Sequence, residues 1–139
     1  MSTPRSVLFV CVSNRGKSVM AQDLSSTLAK EVFTASSAGT AAAIDGRVND
    51  LSAQVLTEVG VDIGSHQPRQ LTDELMRDAD LTVVLGSSAA VVAPDGAAVE
   101  EWNTDEPSLR GIDGIERMRL IRDDIAARIT ELTARWLPT

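Results

Sequence analysis

Cys11 is the only cysteine in 139 residues, and it stands in the segment Val10-Cys11-Val12-Ser13-Asn14-Arg15-Gly16-Lys17-Ser18. An apolar, β-branched run gives way there to a polar, glycine-containing stretch and then to residues at helical spacing. The thiol therefore belongs at the carboxyl end of a strand, just before a helix begins. A loop wrapped at that position gathers unpaired backbone N–H groups, and the helix N-terminus adds partial positive charge, so a tetrahedral oxyanion fits within it. The same field favours thiolate over thiol, which makes Cys11 a nucleophile that needs no histidine base. In this reading the anion is cradled by Val12, Ser13, Asn14, Arg15, Gly16, Lys17 and Ser18. Asn14 suits a left-handed backbone or side-chain bonds that hold the loop, Gly16 lets the chain approach the ligand, and Ser18 donates its hydroxyl to the sulfur. Against this stand plainer readings: an inert strand cysteine, Lys17 as a surface cation, Arg15 as a solvated loop tip, or Gly-Lys-Ser as half of a nucleotide loop. The last fails on spacing, because the first glycine of that motif would fall at Cys11.

Positioning such a loop requires a buried central strand, and Ser6 to Val12 reads as one, flanked on both faces in a parallel sheet. Met20, Leu24 and Leu28 then mark a first helix, and Val32 to Ala38 a second strand ending at Gly39. Leu51, Val55, Leu56 and Val59 mark a second helix capped by Asn49 or Asp50 and closed by Gly60. Leu71 to Leu75 reads as a short capped helix, Leu81 to Leu85 as a third strand, and Ala97 to Trp102 as a weak fourth. A long final helix carries Ile115, Met118, Ile121, Ile125, Ile129, Leu132 and Trp136 on one face. The βαβ rhythm predicts a three-layer α/β sandwich, one domain over residues 1–139, with a four-stranded parallel sheet, helices on both faces, and the ligand at the carboxyl ends of the strands.

Composition narrows the function classes. A net charge of −7 disfavours nucleic acid and acidic membranes, both bound chiefly by clustered Lys and Arg. One cysteine and one histidine cannot build a zinc-type ligand cluster, so no metal is expected. No apolar run reaches the length of a membrane span and Met1 to Arg5 is too short and polar to open a secretory signal, so a cytoplasmic location is expected. His66, between Gly64 and Pro68, reads as a structural loop residue.

Cys11 to Ser18 resembles the Cys-x5-Arg-Ser loop of the low-molecular-weight phosphotyrosine phosphatases and the related arsenate reductases. Lys17 stands where that family usually has an arginine, and lysine offers a point charge in place of a planar fork. The likeness continues through Ser37-Ala38-Gly39-Thr40, Glu58 to Ile63, His66, Leu71, Thr72 and Ala79-Asp80. Trp102-Asn103-Thr104-Asp105-Glu106-Pro107 resembles the family's acid loop, where an Asp-Pro pair supplies the general acid. Here Glu106 precedes the proline, so Glu106 by register or Asp105 by chemical type would protonate the leaving oxygen. Cys-x-x-Asn-x-Gly-Lys-Ser, Glu-Pro and Glu116-Arg117-Met118-Arg119 together are similar to the arsenate reductases coupled to mycothiol.

What the resemblance implies is an arsenate reductase acting as an arsenate–thiol transferase. Arsenate or a phosphate-like oxyanion would be attacked by Cys11. No cofactor would be bound, and an external low-molecular-weight thiol, mycothiol, would be co-substrate together with a glutaredoxin-like mycoredoxin. Thioredoxin-coupled relatives resolve the adduct with two further cysteines near the third strand, but Leu85 to Ala90 contains none. The alternatives are a protein-tyrosine phosphatase on the same scaffold and a non-catalytic oxyanion sensor. The chain has no tyrosine, and Ser108-Leu109 follow Pro107, so the aromatic sandwich that holds an aryl phosphate is missing.

Overall fold

The structure is a computed structural model, and it describes residues 5–63 and 66–136. Four parallel strands, β1 (Arg5–Cys11), β2 (Phe33–Gly39), β3 (Leu81–Leu85) and β4 (Val99–Trp102), lie in the order β2-β1-β3-β4. β1 is central because Val7 to Val10 are at most 1% exposed and need cover on both faces. Its alternation splits the core. Val7 and Phe9 point toward helices α1 (Lys17–Leu28), α2 (Asp50–Thr57) and α4 (Gly114–Trp136), whereas Leu8 and Val10 point toward α3 (Asp73–Asp78) and the chain from Ala89 to Ala97. The outcome is the expected three-layer α/β sandwich, with a thinner layer on the α3 side.

α4 is held by the stripe Met118, Ile121, Ile125, Ile129 and Leu132, all buried. Each such side chain contributes about 1.5–3 kcal/mol of burial. Trp136, expected in the core, is half-buried and edges against Phe33 at 5.8 Å while the Arg5 guanidinium lies 4.6 Å from its ring. Asn49 caps α2, its Oδ1 accepting from the N–H groups of Leu51 and Ser52.

Three expectations shift. Leu28, the last residue of α1, is 50% exposed. Val59 is 48% exposed, since α2 ends at Thr57 and Gly60, at φ 77°, turns the chain away. The short helix begins at Asp73 rather than Leu71, because Thr72 is its N-cap, its hydroxyl accepting from Leu75 N–H. Among the described residues no helix is long and apolar enough to cross a membrane.

Candidate active site

Cys11 ends β1 and Lys17 opens α1, so five residues make the whole turn between them. Their carbonyls are tied outward. Thr40 N–H donates to Cys11 O, Ala41 to Val12 O, Ala43 to Ser13 O and Asn49 to Arg15 O, at 2.8–3.1 Å, while His66 Nε2 lies 3.1 Å from Asn14 O. Holding successive carbonyls on the outside turns the loop's amides inward. Gly16 offers α1 no side-chain cap, so the N–H groups of the first turn add to that inward set. The loop also rests on Gly39, where a Cβ would press on Val12 O and come within 2.9 Å of Asn14 N. Only glycine fits under it.

Asn14 carries the strained position, at φ 58° and fully buried. Its Oδ1 accepts from Arg69 N–H at 2.9 Å and its Nδ2 donates to Ser18 Oγ at 2.8 Å. Ser18 Oγ, which accepts from Asn14, lies 2.9 Å from Cys11 Sγ, close enough to donate its own hydrogen to the sulfur. Ser18 is fully buried and Cys11 is 9% exposed, so this contact is shielded while the sulfur still reaches a depression of about 260 Å³.

Around that depression the structure brings together Cys11, Lys17, Glu106 and Arg117. Lys17 Nζ donates to Thr104 Oγ1 at 3.2 Å, which draws the ammonium toward the acid loop. Gly86, at φ 82°, leaves room for it, since a Cβ there would stand 3.4 Å from Nζ. Glu106 accepts from Arg117 Nη2 at 2.6 and 3.1 Å. Asp105 points elsewhere, paired with Arg110 at 2.7 and 3.1 Å along an adjoining groove. The Arg110 guanidinium holds the Asp105 carboxyl below its ordinary range, the nearby Lys17 charge acting in the same direction. Of the two acid-loop candidates, Glu106 lines the depression that Cys11 opens into and Asp105 does not.

The remaining loop residues divide by side. Val12 is 37% exposed at the rim. The Arg15 guanidinium leans away to donate to Arg47 O at 2.6 Å. The Asn14 side chain faces the protein, leaving only backbone to face a ligand. A Cβ at Gly16 would meet only Ser52 Oγ, at 3.8 Å, so the protein itself does not demand glycine there. Arg117 was not among the residues expected at the site. The available signal was its place beside Met118, in the first turn of a helix that follows the acid loop directly. Among the described residues no cluster of three or more His, Cys, Asp or Glu could hold a metal ion.

Residues 6–135 match the family described as low molecular weight phosphotyrosine protein phosphatase. The chain belongs to this family. Among its relatives is a putative arsenate reductase of Halobacterium salinarum, 29% identical over 94% of this chain and 92% of that protein. A thioredoxin-dependent arsenate reductase of Corynebacterium glutamicum superposes with a TM-score of 0.76 at 31% identity. That match covers 97% of this chain, which spans only 63% of the other. An arsenate reductase solved in its phosphate-binding state superposes with a TM-score of 0.78 at 25% identity, over 96% of this chain and 99% of that one.

Proposed function

We propose that this family member is an arsenate reductase that works as an arsenate–thiol transferase. The observation that carries the reading is the sulfur–hydroxyl contact of Cys11 and Ser18, set by Asn14 at the base of a small cationic depression in a chain with no second thiol. The loop amides and Lys17 bind arsenate, and the Cys11 thiolate attacks arsenic. An S–As bond forms, an As–O bond breaks, and the Glu106 carboxyl gives its proton so that the oxygen leaves as water. The incoming anion competes with Glu106 for Arg117, and as Arg117 turns to it Glu106 takes up that proton from a hydroxyl of the bound arsenate.

An external thiol then attacks arsenic, passes its proton to the Glu106 carboxylate and displaces Cys11 as thiolate. Arsenic remains pentavalent throughout, and the product is a thiol–arsenate adduct. Reduction to As(III) needs two electrons. They come when a further thiol attacks the sulfur of that adduct, forming a disulfide and releasing arsenite. Mycothiol as the first thiol and a mycoredoxin as the second fit this sequence. Four methionines cannot substitute, because a thioether does not enter thiol–disulfide exchange. Arsenate turnover is measured with mycothiol plus mycoredoxin, with glutathione, and with thioredoxin plus its reductase, beside hydrolysis of an aryl phosphate. Turnover is expected with a low-molecular-weight thiol. Repeated turnover on thioredoxin alone would sink the transferase reading, and aryl phosphate hydrolysis outpacing arsenate turnover would make the chain a phosphatase.

A further inference from the structure

On the α2 side of the Cys11 loop lies a further depression, of about 210 Å³, between the loop, the first turn of α2 and α4. It shares Lys17 and Arg117 with the Cys11 depression, but neither Cys11 nor Glu106 lines it. An occupant there meets the loop without meeting the sulfur.

Its charge is one-sided. Arg15, Lys17 and Arg117 line it, and no carboxylate does. Glu106 balances one of these cations from the other depression, so a positive excess remains. The Lys17 ammonium donates to Thr104, which lies outside this depression, and the two arginines are left as the groups able to bind. The Arg15 guanidinium donates through Nε to a neutral carbonyl, Arg47 O, and among the described residues its Nη groups have no partner. Arg117 holds Glu106 through Nη2, while its Nη1 has the Met118 thioether, at 3.5 Å. A thioether is a weak acceptor, which an oxyanion readily replaces.

Ser52 points to the same ligand. Its side chain is fully buried, and its Oγ has no hydrogen-bond partner among the described residues. Buried hydroxyls are nearly always satisfied, so this one lacks a partner that the protein itself does not supply. Ser25 and Thr82 also lack partners, but neither lines this depression. In the first turn of α2, no helical carbonyl precedes Ser52 to accept from it. It borders the space over Gly16 instead, where an added Cβ would meet only Ser52 Oγ, at 3.8 Å. Packing leaves that space open, beside the start of α1, which carries no side-chain cap.

We propose that this depression is a second oxyanion site, which takes a free tetrahedral anion such as phosphate or sulfate and leaves it unreacted, since Cys11 does not line it. Arg15 and Arg117 supply charge-assisted donors, and Ser52 Oγ gains its missing partner. The volume is below the range that organic ligands occupy, which favours the bare anion over one carried on a larger molecule. The site holds whichever oxyanion reacts at Cys11.

Equilibrium dialysis against radiolabelled phosphate counts the anions bound, and protection of Cys11 from alkylation reports the Cys11 depression alone. The unaltered chain is expected to bind two phosphates. Asn49→Asp keeps the α2 cap, because aspartate caps as well as asparagine, and sets a carboxylate on the wall of the second depression, so it is expected to bind one. Ser52→Ala is expected to weaken the second phosphate about tenfold, the loss of one hydrogen bond to a charged group. In both variants the phosphate concentration that half-protects Cys11 is expected to shift far less. Glycerol phosphate, run in parallel, is expected to bind the second site more weakly than phosphate, and tighter binding overturns the assignment to a free anion. A single phosphate per unaltered chain, or a second one that both substitutions leave at full strength, overturns the site. Equal weakening of the second phosphate and of Cys11 protection overturns it as well, because the two depressions would then be one.

Discussion

Asn14 is where fold and chemistry meet, and replacing it separates them. Asn14→Ala removes two hydrogen bonds, from Arg69 N–H at 2.9 Å and to Ser18 Oγ at 2.8 Å, inside a fully buried site. Each is worth about 0.5–1.5 kcal/mol net, and the abandoned Arg69 amide brings the loss toward the upper end. At φ 58° alanine also meets a left-handed backbone that asparagine tolerates better, costing roughly 1 kcal/mol more. Together these predict a loss of about 2–4 kcal/mol in urea denaturation. Asn14→Gly suffers the same hydrogen-bond loss without the steric term, so it should be the more stable of the two by about 1 kcal/mol.

Asn14→Asp tests the chemistry. Its carboxylate still accepts from Arg69 but turns the Ser18 hydroxyl toward itself and away from Cys11 Sγ, 2.9 Å off, and it places a negative charge near the developing oxyanion. Turnover should fall at least tenfold at saturating arsenate, with slower alkylation of Cys11 at neutral pH. If Asn14→Ala and Asn14→Gly both unfold within about 0.5 kcal/mol of the parent, the buried network does not hold the loop. If Asn14→Asp reacts as fast as the parent, the hydroxyl does not act on the sulfur.

Lys17→Ala should weaken arsenate binding by one to two decades, about 1.5–3 kcal/mol for a charge-assisted contact, whereas Lys30→Ala beyond the end of α1 should not; equal effects in an equilibrium titration would remove Lys17 from the site. Gly39→Ala should destabilise by about 1–3 kcal/mol, since its Cβ would press on the loop backbone at Val12 and Asn14, and a parent-like melting temperature would show that the loop can yield. Asp23, whose Oδ2 is buried without a hydrogen-bond partner among the described residues, has its carboxyl pushed up to about 6 by burial, with Asp62 adding repulsion. A raised carboxyl stabilises the fold only while protonated, so stability is full below about pH 4 and falls as pH rises through 6. Asp23→Asn should therefore gain about 1–2 kcal/mol at pH 8, after discounting for partial exposure, and almost nothing at pH 4; a gain independent of pH would refute the cause.

Local order was legible wherever one stretch of chain decides it. β3 runs from Leu81 to Leu85 as its run of apolar and β-branched residues announces, and residues 82–85 are buried, Thr82 included. Cys11 and Ser18 meet because a strand, a tight loop and a helix return residue 18 to residue 11, which the order of apolar and polar residues already implies. Leu28 and Val59 misled because helical spacing says which face is apolar, not where the helix ends: Leu28 is the last residue of α1 and Val59 lies beyond the end of α2. The link from Asn14 to Arg69 spans 55 residues and the pair of Glu106 with Arg117 depends on where α4 crosses the acid loop, so neither has a local signature. The same holds for Asp105. Chemical type made it a candidate beside Glu106, which register favoured, and only the place of each carboxylate in the fold, Glu106 on the Cys11 depression and Asp105 on the adjoining groove, distinguishes them.

For a chain of net charge −7 to bind an anion as proposed, the charge of its acidic groups must be offset near the site, and its arginines pair with them. Arg110 covers Asp105, Arg117 covers Glu106, and Arg119 and Arg122 together hold Glu58 where α2 meets α4. The more exposed of these pairs, those of Arg110 and Arg117, add little to stability. Their effect is on the field, because a paired carboxylate repels an approaching anion less than a lone one, and unpaired charges farther than about 8 Å are screened at physiological salt. Within that range the groups that face the Cys11 depression are the loop, the α1 N-terminus, Lys17 and the Glu106–Arg117 pair. Arg117 pairs with Glu106 on the wall of the Cys11 depression, so in the proposed mechanism it would both neutralise Glu106 at rest and bind the oxyanion once Glu106 is protonated. In that mechanism the acid and the anion-binding cation are coupled through one guanidinium, and replacing either Glu106 or Arg117 is expected to alter both.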